Sequence, residues 1–584
     1  MDLFSHFEKK IQIIVRDLIE EGHLPDSLGT SSVKAEPPRD PTHGDITTNV
    51  AMVLAKPANR APKELAEIIS ERIAMFDQVS EVVIAGPGFI NFNLEASFWH
   101  GILKEIIKLG VSYGNHDFGK GARVNVEFVS ANPTGPLHVA HARGAVIGDV
   151  LGNLLSKVGY EVTKEYYIND AGTQVDKLAL STHLRYREIL VKETPSFAEG
   201  FYPGEYLVEI AKLIAERDGE KWLGVDKKFW VKELKGFVIN EIVENIKRDL
   251  SYLGIHHDVF SKESALIKNR VVEGVVEKLE KNGLIYEGVL EKPKGKQITD
   301  WEPRNQKLFR ATKFDDEVDR PLQKSDGAWT YFANDIAYHF DKYNRGFTKM
   351  INIFGADHGG YVKRMQAATK AVSDNNACLE IKLCQIVHLK KGGKPLRMSK
   401  RAGNFVTLRE LIDSVGKDVV RFFMLTRKND TQMDFDLEKV LDQSKDNPIF
   451  YVQYAHARCC SVLRHAIENL SNKEISSETL EHVPLDTLNH PLELQLAKTL
   501  ASWPRFVMNA AIANEPHRIT NFLNDVATAF HSLWNKGNEN AELRFIQPEA
   551  KHVTLARLAL IKCVALTISS GLAVCGIEPM DELR

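Results

Sequence analysis

Two clusters of side chains in this 584-residue chain are suited to handling a polyphosphate. In VEFVSANPTGPLHVAHARGAV, His138 and His141 stand three residues apart, a spacing that sets both imidazoles on one face of a helix's first turn, where they can donate to the same anion. Asn132, Pro133, Thr134, Gly135 and Pro136 precede them and read as the loop that ends a strand and opens that helix. The helix N-terminus adds free amides and the positive end of a dipole. Imidazole donors at such a place suit the charge that develops on an α-phosphate under attack. Paired helical histidines also occur as capped, solvated or metal-linked groups, and it is the strand-loop-helix setting that favours the phosphate.

The second cluster lies far downstream in KKGGKPLRMSKRAGNFVTL, where Lys390, Lys391, Lys394, Arg397, Lys400 and Arg401 are interleaved with Gly392, Gly393 and Gly403. A flexible cationic loop can swing onto a polyphosphate and neutralise the leaving pyrophosphate; a solvated basic loop or one resting on an RNA backbone is the alternative. A third set fits a planar cation with five donors, which is best met by carboxylates and a hydroxyl. Glu127 leads into the first cluster, and Tyr331 and Asp335 stand at i and i+4 in WTYFANDIAYHFDKY. By spacing alone, the better reading is Glu127 as a structural ion-pair partner and Tyr331 as a core aromatic.

The elements that would position these groups follow from periodicity. The pattern from 123 to about 170 is strand, Gly/Pro loop, helix, strand, the opening of a parallel α/β sheet with a ligand loop at a strand's carboxyl end. Residues 175–300 read as mostly amphipathic helix inserted in that sheet, after which strand and helix alternate again. Residues 1–115 read as an α+β unit opened by a helix with Leu3, Phe4, Phe7, Ile11, Ile14 and Leu18 on one face. Gly114, Asn115, Gly119 and Gly121 mark its end. Residues 446–584 read as an all-α domain, leaving 116–445 for the catalytic part.

Composition sets limits. With 43% hydrophobic and 26% charged residues and a formal net charge of -3, a nucleic-acid partner must be held by local basic patches. The six cysteines form no C-x2-C pair, so a reduced cytoplasmic protein without structural metal is expected. The first residues lack the character of a signal or transit peptide, and no apolar run reads as long enough to span a bilayer.

HVAH in this setting resembles the HIGH signature of class I aminoacyl-tRNA synthetases, with Ala140 in the third position. RMSKR resembles the KMSKS signature of the same class, Arg397 standing at the first lysine and Lys400 at the second. Two such signatures in this order are together highly specific. VEFVSANPTGPLHVAH, YYINDAGTQ, DGAWTYFANDIAYHFDK and GADHGGYVKR are similar to bacterial arginyl-tRNA synthetases, over nearly the whole chain.

The resemblance implies a Rossmann-type α/β catalytic domain, an N-terminal tRNA-binding α+β domain and a C-terminal all-α anticodon-binding domain. It implies activation of L-arginine by ATP, with Mg2+ arriving on the nucleotide, then transfer to a cognate tRNA by a monomer that needs bound tRNA before the adenylate forms. His138, His141 and Lys400 would be catalytic. ATP would also meet Pro133, Thr134, Gly135, Gly355, Asp357, His358, Arg397, Met398 and Ser399. Glu127, Tyr331 and Asp335 would hold the guanidinium, with Asn132 and His138 at the α-amino and carboxylate end. tRNA would meet Phe89, Asn91 and Phe92, and, in the tail, Gln453, Tyr454, His456, Arg458 and Trp534. Two rivals remain: an ATP:carboxylate adenylyltransferase that needs no tRNA, and an inactive RNA-binding paralogue.

Overall fold

The computed structural model describes residues 2–290, 304–324, 326–396, 406–444, 446–468 and 470–583. The RMSK tetrad, Arg397, Met398, Ser399 and Lys400, lies outside the described residues. The chain divides into two compact units: Asp117–Gln443 with Asn514–His517, and Met1–His116 with Ser444–Ala513 and Arg518–Arg584.

The first of these is built on a five-stranded parallel sheet in the spatial order Cys378–Cys384, Lys349–Gly355, Arg123–Glu127, Glu161–Ile168, Val259–Lys262. Val124 and Val126 are fully buried and Asn125 and Glu127 are buried with them. Near-continuous burial marks a strand covered on both faces. The helix Val139–Lys157 covers one face; a Cβ at Gly148 would lie 2.2 Å from the Phe128 ring, so that glycine permits the close seat. Chain order starts at Arg123–Glu127, moves outward to Glu161–Ile168 and Val259–Lys262, then returns to the other side at Lys349–Gly355. The carboxyl ends of Arg123–Glu127 and Lys349–Gly355 therefore flank a topological switch point, where open α/β sheets bind their ligands.

Residues 175–300 are not helix throughout. Thr173–Val191, Tyr206–Asp218 and Lys227–Tyr252 are helices, but Val259–Lys262 is the edge strand of the main sheet. Four residues between helices carry too little period-2 pattern to announce a strand.

In the other unit the expected helix runs Leu3–Glu20, capped by Asp2 and burying the expected apolar face together with Val15. A four-stranded antiparallel sheet follows, ordered Ala35–Glu36, Ile46–Thr48, Phe89–Leu94, Val79–Ala85. The helix Ala96–Leu109 then packs on the helices Pro491–Ala501 and Lys551–Val574. The N-terminal and C-terminal stretches thus share one core. Trp503 Nε1 donates to Tyr113 O at 3.0 Å, Ser570 Oγ to Val111 O at 2.9 Å, and Lys498 pairs with Asp45 at 2.5 Å.

That packing corrects one expectation. Lys551–Val574 is long and apolar enough, by length and composition, to cross a membrane, and 78% of its most apolar window is buried inside the protein. Lys562 and the flanking small residues hid the run in the sequence. A helix apolar on all sides suits one surrounded by other helices.

Candidate active site

The strand Arg123–Glu127 ends in two residues with left-handed backbone, Val129 at φ 68° and Ser130 at φ 38°. A β-branched residue there is strained, an outlay tolerated where the surroundings impose it. The turn places Ser130 Oγ to donate to Glu127 Oε1 at 3.0 Å while accepting from Tyr167 N at 3.1 Å. Thr134 N then donates to Asn132 O at 2.7 Å, and Tyr206 Oη donates to Thr134 O at 2.5 Å. Pro133 is buried, Thr134 and Gly135 are half-buried, and Asn132 is exposed with Gln174 3.5 Å from its amide nitrogen.

The paired histidines take a more specific arrangement than a shared helical face. His138 is the N-cap of the helix Val139–Lys157 and His141 its third residue. His138 Nδ1 accepts from Ala140 N at 3.3 Å, and His141 Nδ1 accepts from His138 N at 3.1 Å. The two rings lie 4.0 Å apart. With Nδ1 accepting, the neutral imidazole carries its proton on Nε2, and that proton is the donor each ring can turn toward an anion.

The segment 406–408, which follows the second signature in sequence, pairs with the first signature. Val139 N donates to Val406 O at 3.2 Å, Leu408 N donates to Leu137 O at 2.9 Å, and His138 bridges Thr407. The chain that follows the RMSKR motif is therefore paired by backbone to the HVAH motif. Arg143, two residues past His141 and fully buried, donates to Gln385 O at 3.1 Å, Thr431 O at 2.6 Å and Lys428 O at 2.8 Å. It ties the helix to the foot of the strand Val387–Lys391, which leads into the basic loop. Across the switch point, Gly355 ends its strand, with Asp357 and His358 exposed just beyond it and 3.7 Å apart.

The third set gathers beside this. Thr330 caps the helix Tyr331–Asn344, on which Tyr331, Asp335, Tyr338 and Lys342 follow one another along a single face. Tyr331 is 60% exposed rather than a core aromatic. Lys342, buried, donates to Glu127 Oε2 at 2.7 Å, so Glu127 has an internal counterion as well as the Ser130 hydroxyl. Asp335 has no ion-pair partner among the described residues: Tyr361 Oη donates to it, while burial, with Glu127 and Glu263 close by and Lys342 only partly offsetting them, pushes its carboxyl up to about 7. Burial likewise raises Glu263, whose carboxylate accepts from Asn334 Nδ2 at 2.6 Å. Tyr167 stacks on Tyr338 at 4.3 Å, and its buried hydroxyl has no hydrogen-bond partner among the described residues. The result is a buried cluster in which, among the described residues, the carboxylates of Glu127, Asp335 and Glu263 outnumber the single cation of Lys342. Ser130, Tyr167, Glu263, Lys342 and Tyr361 escaped the sequence reading. Lys342 alone had a spacing signal, at i+7 from Asp335.

Of the residues expected to meet tRNA, Phe89 is 42% exposed, while Asn91 and Phe92 are buried, Phe92 against Phe7 at 5.4 Å. Gln453 and His456 are buried as well. Gln453 holds the segment after Lys551–Val574, donating to Glu578 O at 2.9 Å and accepting from Met580 N at 2.8 Å. Tyr454, Arg458 and Trp534 are half-buried; the Arg458 guanidinium lies 4.0 Å from the Tyr454 ring and 4.6 Å from that of Trp534.

A strand-loop-helix with an imidazole cap at the switch point of a parallel sheet matches the model described as "tRNA synthetases class I (R), catalytic domain" over residues 103–461. Residues 5–94 match the "Arginyl tRNA synthetase N terminal domain" and 452–583 the "DALR anticodon binding domain". The chain belongs to the arginyl-tRNA synthetase family. It is 52% identical to an arginine-tRNA ligase of Rhodospirillum rubrum and 51% identical to one of Ruegeria pomeroyi, in each case over the whole of both chains. The fold is shared with the arginyl-tRNA synthetase of Thermus thermophilus, at a TM-score of 0.71 and 20% identity over 100% of both chains.

Proposed function

We propose that the chain is an arginine-tRNA ligase, which joins the arginine carboxylate to the α-phosphate of ATP, releases pyrophosphate, and transfers the arginyl group to the 3'-terminal ribose of its cognate tRNA. The observation that carries the reading is the acidic pocket beside the histidine-capped helix. Asp335 and Glu263 have no ion-pair partner among the described residues, Lys342 acting on Asp335 only from beside Glu127, and a guanidinium would supply both charge and donors.

Each group then has a task. Asp335, Glu127 and the exposed ring of Tyr331 receive the guanidinium, while Asn132 and His138 take the other end of the amino acid. The Nε2 protons of His138 and His141, with the helix N-terminus, meet the phosphate as charge builds on it. Gly355, Asp357 and His358 line the adenosine side, and the basic loop bearing Arg397 and Lys400 meets the leaving pyrophosphate. Mg2+ enters on the nucleotide. No covalent enzyme intermediate is required; positioning and charge stabilisation carry the rate. Lysine or citrulline would leave pocket carboxylates unpaired, which costs several kcal/mol at sites of this kind. The reading includes a monomer acting in the cytoplasm.

Pyrophosphate exchange into ATP tests this, measured with each amino acid, with and without total tRNA, beside Lys400→Ala. Exchange with arginine alone among the amino acids, dependent on tRNA and falling about 100-fold or more in the variant, is the expected result. Exchange without tRNA would remove the tRNA requirement, and exchange with another amino acid would overturn the specificity. Silence with all of them would favour the RNA-binding paralogue.

A further inference from the structure

In the helix Pro448–Ala466, His456 and Cys460 stand at i and i+4, and Asp581 comes to them from the segment that follows Lys551–Val574. Their ligand atoms form a triangle: His456 Nδ1 to Cys460 Sγ 3.7 Å, Cys460 Sγ to Asp581 Oδ1 3.5 Å, and His456 Nδ1 to Asp581 Oδ1 3.9 Å. Zinc bonds of about 2.0–2.3 Å set tetrahedral ligand-to-ligand spacings of roughly 3.3–3.8 Å, so the triangle is close to one face of such a site. The carbonyl oxygen of Met580, 2.9 Å from His456 Nδ1, is a fourth donor on the same side.

The opposite edge of the imidazole is already supported. His456 Nε2 lies 3.0 Å from Ser569 Oγ, and Ser569 Oγ is 2.8 Å from Ala565 O. That pair permits two arrangements. Without an ion, His456 donates from Nδ1 to Met580 O and accepts the Ser569 hydroxyl at Nε2. With an ion on Nδ1, the imidazole proton sits on Nε2 and is accepted by Ser569 Oγ, whose own proton turns to Ala565 O. This is the outer-shell support that metal-bound histidines generally have.

We propose that His456, Cys460 and Asp581 form a binding site for one divalent transition-metal ion of the zinc class. The mixed nitrogen, thiolate and carboxylate donors suit such an ion rather than magnesium or calcium, which take oxygen. Binding replaces the Cys460 thiol proton, the proton released per ion, while the imidazole proton is only relocated. The ion staples the segment 577–583 to the helix Pro448–Ala466, adding to the hold of Gln453 and of Arg464, which donates to Asp581 O at 3.1 Å. Cysteines without C-x2-C spacing hid the site, because two ligands sit one helical turn apart and the third arrives from more than a hundred residues away. The inference is independent of the proposed reaction.

The test uses the full chain, freed of metal by a chelator and titrated with Co2+ alone, then with Zn2+ alone. One equivalent of Co2+ should bring up a thiolate charge-transfer band with the visible bands of four-coordinate cobalt. Cys460→Ser should abolish the charge-transfer band, and Asp581→Asn, which alters an exposed side chain, should weaken Zn2+ binding at least tenfold. Cys378→Ala, altering an exposed cysteine elsewhere, should change neither. Zn2+ should raise the melting temperature of the parent chain more than that of Asp581→Asn. Absence of the band, its persistence in Cys460→Ser, or equal Zn2+ responses in the parent and Asp581→Asn would overturn the proposal.

Discussion

One set of buried polar groups in each compact unit shows two opposite treatments. In the unit that contains the C-terminal helices, Arg557 donates to Glu493 at 2.8 Å and to the carbonyls of Glu542 and Arg544 at 2.6 and 2.8 Å. Charge and hydrogen bonds close there within the fold. In the other unit, burial raises the proton affinity of Asp335 and Glu263, with Glu127 and Glu263 adding to it at Asp335 and Asp170 at Glu263; the Tyr167 hydroxyl has no partner among the described residues, and Val129 holds a strained backbone. Groups that complete one another internally serve stability; groups that remain incomplete mark where a ligand is meant to enter.

Breaking the closed set should give the largest change in stability. Arg557→Ala strands Glu493 in the core and should cost about 3–5 kcal/mol. Denaturant unfolding should show a lower midpoint, while the fraction still folded exchanges pyrophosphate at the parent rate. Loss of exchange in the folded fraction would contradict the division of labour. The open set should respond the other way. Asp335→Asn should lower kcat/KM for arginine about 100-fold with little change in KM for ATP, and it should not lower the melting temperature at pH 7.5.

The sign of that stability effect follows from the raised carboxyl. In the folded chain Asp335 keeps its proton up to about 7, against an ordinary value of 3.8, so between those limits the folded state holds more protons than the unfolded one. Stability from this group is present below about pH 4 and is lost as pH rises towards 7. Arginine binding has the opposite dependence, since the guanidinium wants the carboxylate. Arginine affinity measured by calorimetry should rise about tenfold per pH unit from pH 5.5 and level off above 7. Glu127, Glu263, Lys342 and the Tyr361 hydroxyl share the pocket, and the slope should vanish in Asp335→Asn. A flat profile in the parent would show that Asp335 does not meet the cation.

The smallest effect is expected at the half-buried Arg458, stacked between Tyr454 and Trp534. Arg458→Ala should raise KM for tRNA about threefold to tenfold while leaving arginine and ATP untouched. An equal change in all three would mean that the stack supports only the helices.

Much of the architecture was legible because it rests on local patterns. The strand-loop-helix at 123–157 declared itself by its Gly/Pro loop and the Leu3–Glu20 helix by its periodicity. What the linear pattern concealed was set by neighbours distant in the chain. Glu127 was open between substrate contact and ion pair until Lys342 was seen 2.7 Å away. Phe92 was open between an RNA-facing surface and the core until Phe7 was seen packed on it. Val259–Lys262 is too short to carry its own signal and becomes a strand only by pairing with Glu165–Ile168. Spacing places side chains on a face, whereas the occupant opposite that face comes from elsewhere.

Gly148 gives the helix that bears the paired histidines its seat, because any side chain there would collide with Phe128. The distance between the histidine-capped helix and the strand Arg123–Glu127 is thus fixed by one missing methyl and one aromatic ring. The two positions should drift only as a couple. A chain that gains a methyl at 148 has to surrender bulk at 128, directly beside Glu127, so a change in helix seating would be felt at Glu127 and its Lys342 partner.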